Sequence, residues 1–221
     1  KTKIKVNVTT ESESLQIDGN VALLAIGVEG NINNIGLQDI GVNSENGSIS
    51  INNYCQTNVS NIYAIGDVAG PPWLAHKASA QGHMVADLIC GERVHEIDYF
   101  NVPNCTYCQP QVASLGLTES KAKDLGHNIK VGKFFFRASG KAMAVGNTFG
   151  FVKLIFDDRY GELIGAHIIG DGATEMIAEL NLAKALESTW EDLAMTMHAH
   201  PTLSEAVMEA AMDAFGSAIH Q

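Results

Sequence analysis

The chain has 221 residues, 46% of them hydrophobic and 18% charged; it is long and apolar enough to bury a sizeable core, which excludes bulk disorder, a collagen-like fibre and a small disulfide-stapled module. With 25 acidic residues against 14 basic ones the formal net charge is −11, and a field of that sign repels phosphate polymers and anionic lipid surfaces, arguing against nucleic acid as a partner. No apolar run approaches the ~18 residues of a membrane span, and Lys1-Thr2-Lys3-Ile4-Lys5 does not lead into a signal peptide, so a soluble chain with no membrane partner is expected.

The chain opens on Lys and enters a strand-like alternation at once, Ile4-Lys5-Val6-Asn7-Val8, so a fragment of a longer protein or a processed mature chain is expected. The period-two pattern runs to about residue 28 and includes the apolar run Val21-Ala22-Leu23-Leu24-Ala25-Ile26 before Gly27. Such a run predicts a strand buried on both faces, as in a parallel sheet. A turn-rich stretch from Gly30 to Asn34 follows, then a short strand around Ile49 to Ile51 and another apolar strand, Ile62-Tyr63-Ala64-Ile65, closing on Gly66-Asp67. Gly70-Pro71-Pro72 breaks the chain. Leu74, Ala78, Gln81, Val85 and Leu88 then recur near helical spacing, which predicts a helix from Trp73 to about Ile89 with Gly91 as its stop.

After Gly91 the character changes, with a boundary near Val102-Pro103-Asn104. A helix is predicted from Thr118 to Leu125, with Thr118 as N-cap and Gly126 just past its end. Strands are predicted near Lys130–Arg137, Lys141–Val145, Phe151–Phe156 and Leu163–Ile169, joined by turns as tight as Asp157-Asp158-Arg159-Tyr160-Gly161, so they must pair antiparallel. Helices follow over about 173–187, 189–195 and 202–215. The second half therefore reads as an α+β domain, an antiparallel sheet flanked by helices.

Four motifs bear on chemistry. Among Cys55, Cys90, Cys105 and Cys108, only Cys105-Thr106-Tyr107-Cys108 has motif spacing. No second pair completes a zinc site, and in an extended stretch residues three apart point to opposite faces, so these thiols are expected to serve packing. Gly170-Asp171-Gly172-Ala173-Thr174-Glu175 mimics a dinucleotide fingerprint, but Glu175 replaces its third glycine. Two carboxylates would then stand where a pyrophosphate should bind, so the stretch is expected to be a plain strand-to-helix turn whose acidic residues satisfy the helix N-terminus. Gly66-Asp67 places a carboxylate at the carboxyl end of a strand, where it can bind sugar or polyol hydroxyls or simply serve as a turn or cap residue.

The fourth motif is His198-Ala199-His200-Pro201-Thr202-Leu203-Ser204-Glu205. Thr202 with Glu205 has capping-box spacing, which would account for the glutamate structurally. Pro201 biases His200 toward extended geometry, so its ring can leave the helix and meet the Glu205 carboxylate, the usual arrangement of a general base. His198 and His200 alone would make a weak metal site, and no metal is expected.

Taken together, Thr57-Asn58-Val59-Ser60-Asn61-Ile62-Tyr63-Ala64-Ile65-Gly66-Asp67, Trp73-Leu74-Ala75-His76-Lys77-Ala78 and the His198–Glu205 segment occur in an order and spacing that resemble the dihydrolipoyl dehydrogenase family. The resemblance covers essentially the whole chain, including Ala113-Ser114-Leu115-Gly116-Leu117-Thr118 and Gly165-Ala166-His167-Ile168-Ile169-Gly170. It implies remnants of two α/β domains ahead of the α+β one: the end of an NAD-binding domain over 1–28, a C-terminal segment of an FAD-binding domain over 29–98, and a dimerisation domain over 99–221. By the same resemblance Asp67 would bind the ribityl chain of FAD, Trp73, Leu74, Ala75 and His76 would line the flavin, and Gly27 would let backbone approach NAD. His200 would take the proton from a dihydrolipoyl thiol, with Glu205 orienting it, across the twofold interface of a homodimer.

The implied partner is the lipoyl domain of a 2-oxoacid dehydrogenase complex or of the glycine cleavage system, in the bacterial cytoplasm or the mitochondrial matrix. The sequence departs from the family in lacking a strand-GxGxxG-helix for FAD and paired cysteines for a flavin-linked disulfide, and in carrying Val28-Glu29-Gly30 where a basic residue usually follows Ile26-Gly27. The missing parts are expected upstream of Lys1, and little turnover is expected from the chain alone. A glutathione reductase-like enzyme and a non-catalytic dimerisation or docking module are the alternatives.

Overall fold

In the computed structural model, which describes residues 3–220, the chain divides between Glu92 and Arg93 into two units. The first begins with an antiparallel hairpin of β1 (Ile4–Thr9) and β2 (Ser14–Gly19), in register at Val6 and Ile17. Its side chains are exposed almost throughout. The predicted buried strand over Val21–Ile26 does not form. That stretch is irregular, with Val21 84% and Leu23 90% exposed, because a strand covered on both faces needs sheet neighbours, and among the described residues β1 pairs only with β2.

A small core of Leu37, Val42, Ile49 and Ala64 organises the rest of this unit. The strand expected at Ile49–Ile51 shrinks to β4 (Ser48–Ile49), paired with β3 (Ser44–Glu45) across Asn46-Gly47. Both turn residues have positive φ, 50° and 74°, the backbone that a two-residue hairpin loop demands. The strand expected over Ile62–Ile65 is reduced to a single bridge between Gln56 and Tyr63.

Gly66 then turns the chain with φ 72° into a 3-10 turn, Gly66–Ala69, ahead of α1 (Ala75–Ile89). Buried polar side chains fasten that turn to the helix. Gln81 Oε1 accepts from the Gly66 N–H at 2.8 Å, and Lys77 Nζ donates to the carbonyls of Gly66 and Gly70 at 3.1 and 2.7 Å. Burial pushes the Lys77 ammonium below its ordinary range, although Asp67 and Cys55 nearby favour its charge. The helix stops as expected, with Gly91 at φ 80° and its N–H donating to the Leu88 carbonyl.

The second unit is the α+β domain that the pattern of elements predicts. Strands β5 (Asn104–Thr106), β6 (Gln111–Gly116), β7 (Ile129–Phe135), β8 (Phe151–Asp157) and β9 (Leu163–Gly170) form one sheet in the order β5-β6-β9-β8-β7. Every neighbouring pair is antiparallel. Between β6 and β7 lies α2 (Glu119–Asp124), where the Thr118 hydroxyl accepts from the Lys121 N–H as its N-cap role requires.

The predicted strand Lys141–Val145 is instead helix α3 (Gly140–Val145). Ser139 caps it by accepting from the Ala142 N–H, Gly146 ends it in the left-handed region, and Ala and Met inside favour helix over strand. The turn after β9 is a plain one, but its acidic residues do not cap α4 (Ala173–Ala185). The Gln111 amide oxygen from β6 accepts from Thr174 N–H and its hydroxyl at 3.2 and 3.0 Å.

Leu154, Phe156, Leu163 and Ile168 of the sheet pack with Met176, Ile177 and Leu180 of α4 and with Ala206, Val207, Ala210 and Ala211 of α6 (Glu205–Asp213). The run of small residues lets α6 lie close to the sheet. A Cβ at Gly132 in β7 would collide with the Ala210 carbonyl oxygen and stand 2.6 Å from the Ala214 nitrogen. At this point helix backbone rests on strand backbone, and glycine is what permits it. Among the described residues, no helix is long and apolar enough to cross a membrane.

Candidate active site

The site lies at the N-terminal end of α6, on the segment that joins it to α5 (Trp190–Met195). Thr189 and Asp192 cap α5 reciprocally, and the Thr196 hydroxyl closes its far end on the Asp192 carbonyl at 2.7 Å. Two residues on, His198 is inserted into the fold, its side chain 5% exposed. Its Nδ1 meets the Thr196 carbonyl at 3.0 Å and its Nε2 meets Glu179 Oε1 of α4 at 2.6 Å. The Glu179 hydrogen bond raises the His198 pKa above the ordinary imidazole range, outweighing the opposing effect of burial.

His200, joined to Pro201 by a cis peptide bond, carries its ring into solvent with the side chain 77% exposed. Nδ1 lies 2.8 Å from Glu205 Oε1. The other carboxylate oxygen, Oε2, accepts from the Thr202 N–H at 2.8 Å. Only half of the expected capping box is present, since the Thr202 hydroxyl turns back to donate to the Ala199 carbonyl. The helix accordingly starts at Glu205, with Ser204 as an N-cap that makes no side-chain bond. Thus Glu205 holds the loop by one oxygen and the imidazole by the other. Burial pushes its carboxyl upward, but the Thr202 N–H and the His200 and His198 rings outweigh burial and keep it below the ordinary carboxylate range.

A carboxylate can only accept, so the neutral His200 ring donates from Nδ1, and the lone pair is left on Nε2. That is the protonation state of a general base. His200 and Glu205 border a cavity of about 290 Å³ together with Phe134, Ser139, Met143 and His220. Glu209, one helical turn after Glu205 and 2% exposed, also lines it. It accepts from the Ile219 and His220 N–H groups at 3.0 and 3.2 Å and pairs with His220 Nδ1 at 2.6 Å. The i, i+4 spacing of the two glutamates was visible in the sequence, but the folding back of residues 219 and 220 was not.

The remaining candidates fall in the first unit. Asp67 lies in the 3-10 turn, Trp73 and Leu74 precede α1, and Ala75 and His76 open it. Asp67, Trp73, Ala75 and His76 are exposed, and Leu74, the N-cap residue, offers no side-chain bond to the first N–H groups of the helix. The Lys77 clasp brings this turn and the helix start together. An exposed carboxylate able to accept from hydroxyls and an exposed indole beside a helix start are groups that could hold a flavin nucleotide. Gly27 has φ 136° and nothing within 4 Å of where a Cβ would stand, so backbone there is open to close approach. The four cysteines are free; Cys105 is half-buried and its thiol is pushed up by burial, as a packing thiol is, but Cys108 is exposed, so only one of the two thiols packs. Among the described residues no three His, Cys, Asp or Glu side chains gather as a metal site.

Comparison with known proteins agrees with this architecture. Residues 102–211 match the pyridine nucleotide-disulphide oxidoreductase dimerisation domain, and residues 1–82 match the pyridine nucleotide-disulphide oxidoreductase family model. A dihydrolipoyl dehydrogenase of Rhizobium etli is 49% identical over 96% of the chain and 44% of its own length. That of Zymomonas mobilis is 50% identical over 90% of the chain and 43% of its own length. The chain thus spans less than half of these curated relatives. Among solved structures, LpdA of Mycobacterium tuberculosis superposes with a TM-score of 0.85 at 27% identity, over 93% of the chain and 45% of that protein. The flavoprotein disulfide reductase RclA of Escherichia coli shares the fold, with a TM-score of 0.83 over 94% of the chain and 48% of that protein, at 23% identity. In sequence, element order and sheet topology, the chain belongs to the pyridine nucleotide-disulphide oxidoreductases.

Proposed function

We propose that this chain supplies the dimer interface and the general base of a dihydrolipoyl dehydrogenase, an enzyme that oxidises protein-bound dihydrolipoamide to lipoamide. The observation that carries the reading is the 2.8 Å pairing of an exposed His200 ring with Glu205. A thiol attacks a disulfide only as its thiolate. His200 Nε2 accepts the thiol proton, and Glu205 holds Nδ1–H and balances the imidazolium that results. FAD and NAD⁺, when bound, would carry away the electron pair that the thiols lose. On this chain Asp67 and Trp73 to His76 would hold the flavin nucleotide, and Gly27 would border NAD.

The segmentation that goes with this reading is 1–28, 29–98 and 99–221, with the last segment forming a homodimer whose partner in turnover is a lipoyl domain. The names of the relatives favour dihydrolipoamide over glutathione as the disulfide couple, and their bacterial sources favour a cytoplasmic enzyme. Replacing His200 with Gln in the full-length parent is expected to slow thiol oxidation by roughly 10² to 10⁴ while leaving flavin content unchanged. A rate near that of the unaltered enzyme would overturn the assignment.

A further inference from the structure

His198 has a polar neighbour at each ring nitrogen, and the chemistry of those neighbours fixes its charge. The Thr196 carbonyl at 3.0 Å can only accept, so Nδ1 carries a proton. An ionised Glu179 at 2.6 Å can only accept as well, so Nε2 carries one too. Glu179 keeps its side chain 31% exposed. With both nitrogens donating, the nearly buried ring is an imidazolium. The attraction between this charge and the opposite one on Glu205 is one of the causes that raise the His198 pKa and hold the Glu205 carboxyl below its ordinary range.

We propose that His198 and Glu179 are positioning residues: a resident ion pair that anchors the segment carrying His200 and biases the Glu205 carboxylate toward its charged form. The groups involved come from three places in the fold. Glu179 stands on α4, His198 on the linker after α5, and Glu205 opens α6; these two carboxylates are the charged groups acting on the ring. The raised proton affinity of His198 agrees with this arrangement. The inference deepens the reading of His200 as base and rests on it. An ionised Glu205 keeps the lone pair of that imidazole on Nε2, and the cation beside it keeps Glu205 ionised.

The test uses the 221-residue chain, labelled with 15N in its histidine rings and 13C in its glutamate carboxyls, followed by NMR from about pH 3 to about pH 9 to span both titrations. In the unaltered chain the His198 ring is expected to lose a proton only above the ordinary imidazole range. Glu179→Gln should bring loss of one proton back down through that range. His198→Gln, which keeps a donor for Glu179 but no charge, should move the Glu205 titration upward; a purely structural role would leave it in place. The proposal is overturned if His198 loses a ring proton within or below the ordinary imidazole range, or if Glu205 titrates alike with and without the imidazolium. Should His198→Gln not fold, the spectra of the unaltered chain and of Glu179→Gln still decide. These readouts need no turnover, so they can fail while His200→Gln still abolishes thiol oxidation, and the reverse.

Discussion

Replacing Glu205 with Gln separates what the carboxylate does for the helix from what it does for the imidazole. Oε2 accepts from the Thr202 N–H and Oε1 pairs with His200 Nδ1, both at 2.8 Å. An amide has one oxygen to offer. If it keeps the Thr202 bond, its NH₂ faces Nδ1, the ring must accept there, and its own proton moves to Nε2. The lone pair that takes a thiol proton is then gone. If the amide turns over, two donors meet at Thr202 N–H instead, which is the worse arrangement. The surviving fold therefore keeps one hydrogen bond and exchanges a charge-assisted one for a neutral one, a loss of about 1 kcal/mol in stability.

Catalysis should fall far more, by roughly 10² to 10⁴, because the wrong tautomer disables the base. Thiol oxidation by the full-length parent measures the second effect and its denaturant midpoint the first. Ring 15N shifts in the same variant should show the His200 proton moved from Nδ1 to Nε2. Unimpaired oxidation together with an unchanged tautomer would refute the reasoning, and a collapse of stability by several kcal/mol would show that Glu205 is chiefly a cap.

Two further outcomes follow from the same geometry. The Glu205 carboxyl is held below its unfolded value, so its contribution to stability is fully present above the ordinary carboxylate range and is lost as pH falls through the folded value. His198 has the opposite sign: its folded value is raised, so its contribution is fully present below the ordinary imidazole range and disappears as pH rises through the folded value. Urea titrations across pH should show stability falling on both sides, and a loss on the alkaline side that persists in His198→Gln would contradict the assignment. Gly132→Ala places a methyl against the Ala210 carbonyl and the Ala214 nitrogen, and the shift of α6 that this forces should cost about 1–3 kcal/mol. A denaturant midpoint that does not move would show that the helix is not seated there.

What the sequence displayed depended on how local the cause was. Thr118 and Thr189 cap their helices by contacts within three residues, and the Phe151–Asp157 and Leu163–Gly170 strands follow from apolar runs joined by a short turn. The His200–Glu205 pair spans five residues, so its spacing was visible as well. Glu179 is 19 residues from His198, and Gln111 is 63 from Thr174. Contacts of that range exist only once α4 has docked, and no periodicity announces them. Lys141–Val145 failed for another reason: a short window with four apolar residues fits strand and helix alike, and the deciding signals, Ser139 and Gly146, lie just outside it. Val21–Ile26 has the composition of a covered strand, but coverage is a property of neighbours and not of the run itself.

The seat of α6 on Gly132 bears on how this site tolerates change over evolution. Where two backbones touch without an intervening side chain, the separation of helix and sheet is set by peptide atoms, which are common to every sequence. Exchanges among the larger residues beneath, such as Leu154 or Phe156, can tip the helix about that fulcrum but cannot lift it. The seat keeps its separation while the filling below drifts, so tilt alone is left to move the carboxylate at the helix's first residue, and one glycine with no chemistry of its own limits how far the proton-accepting pair can stray.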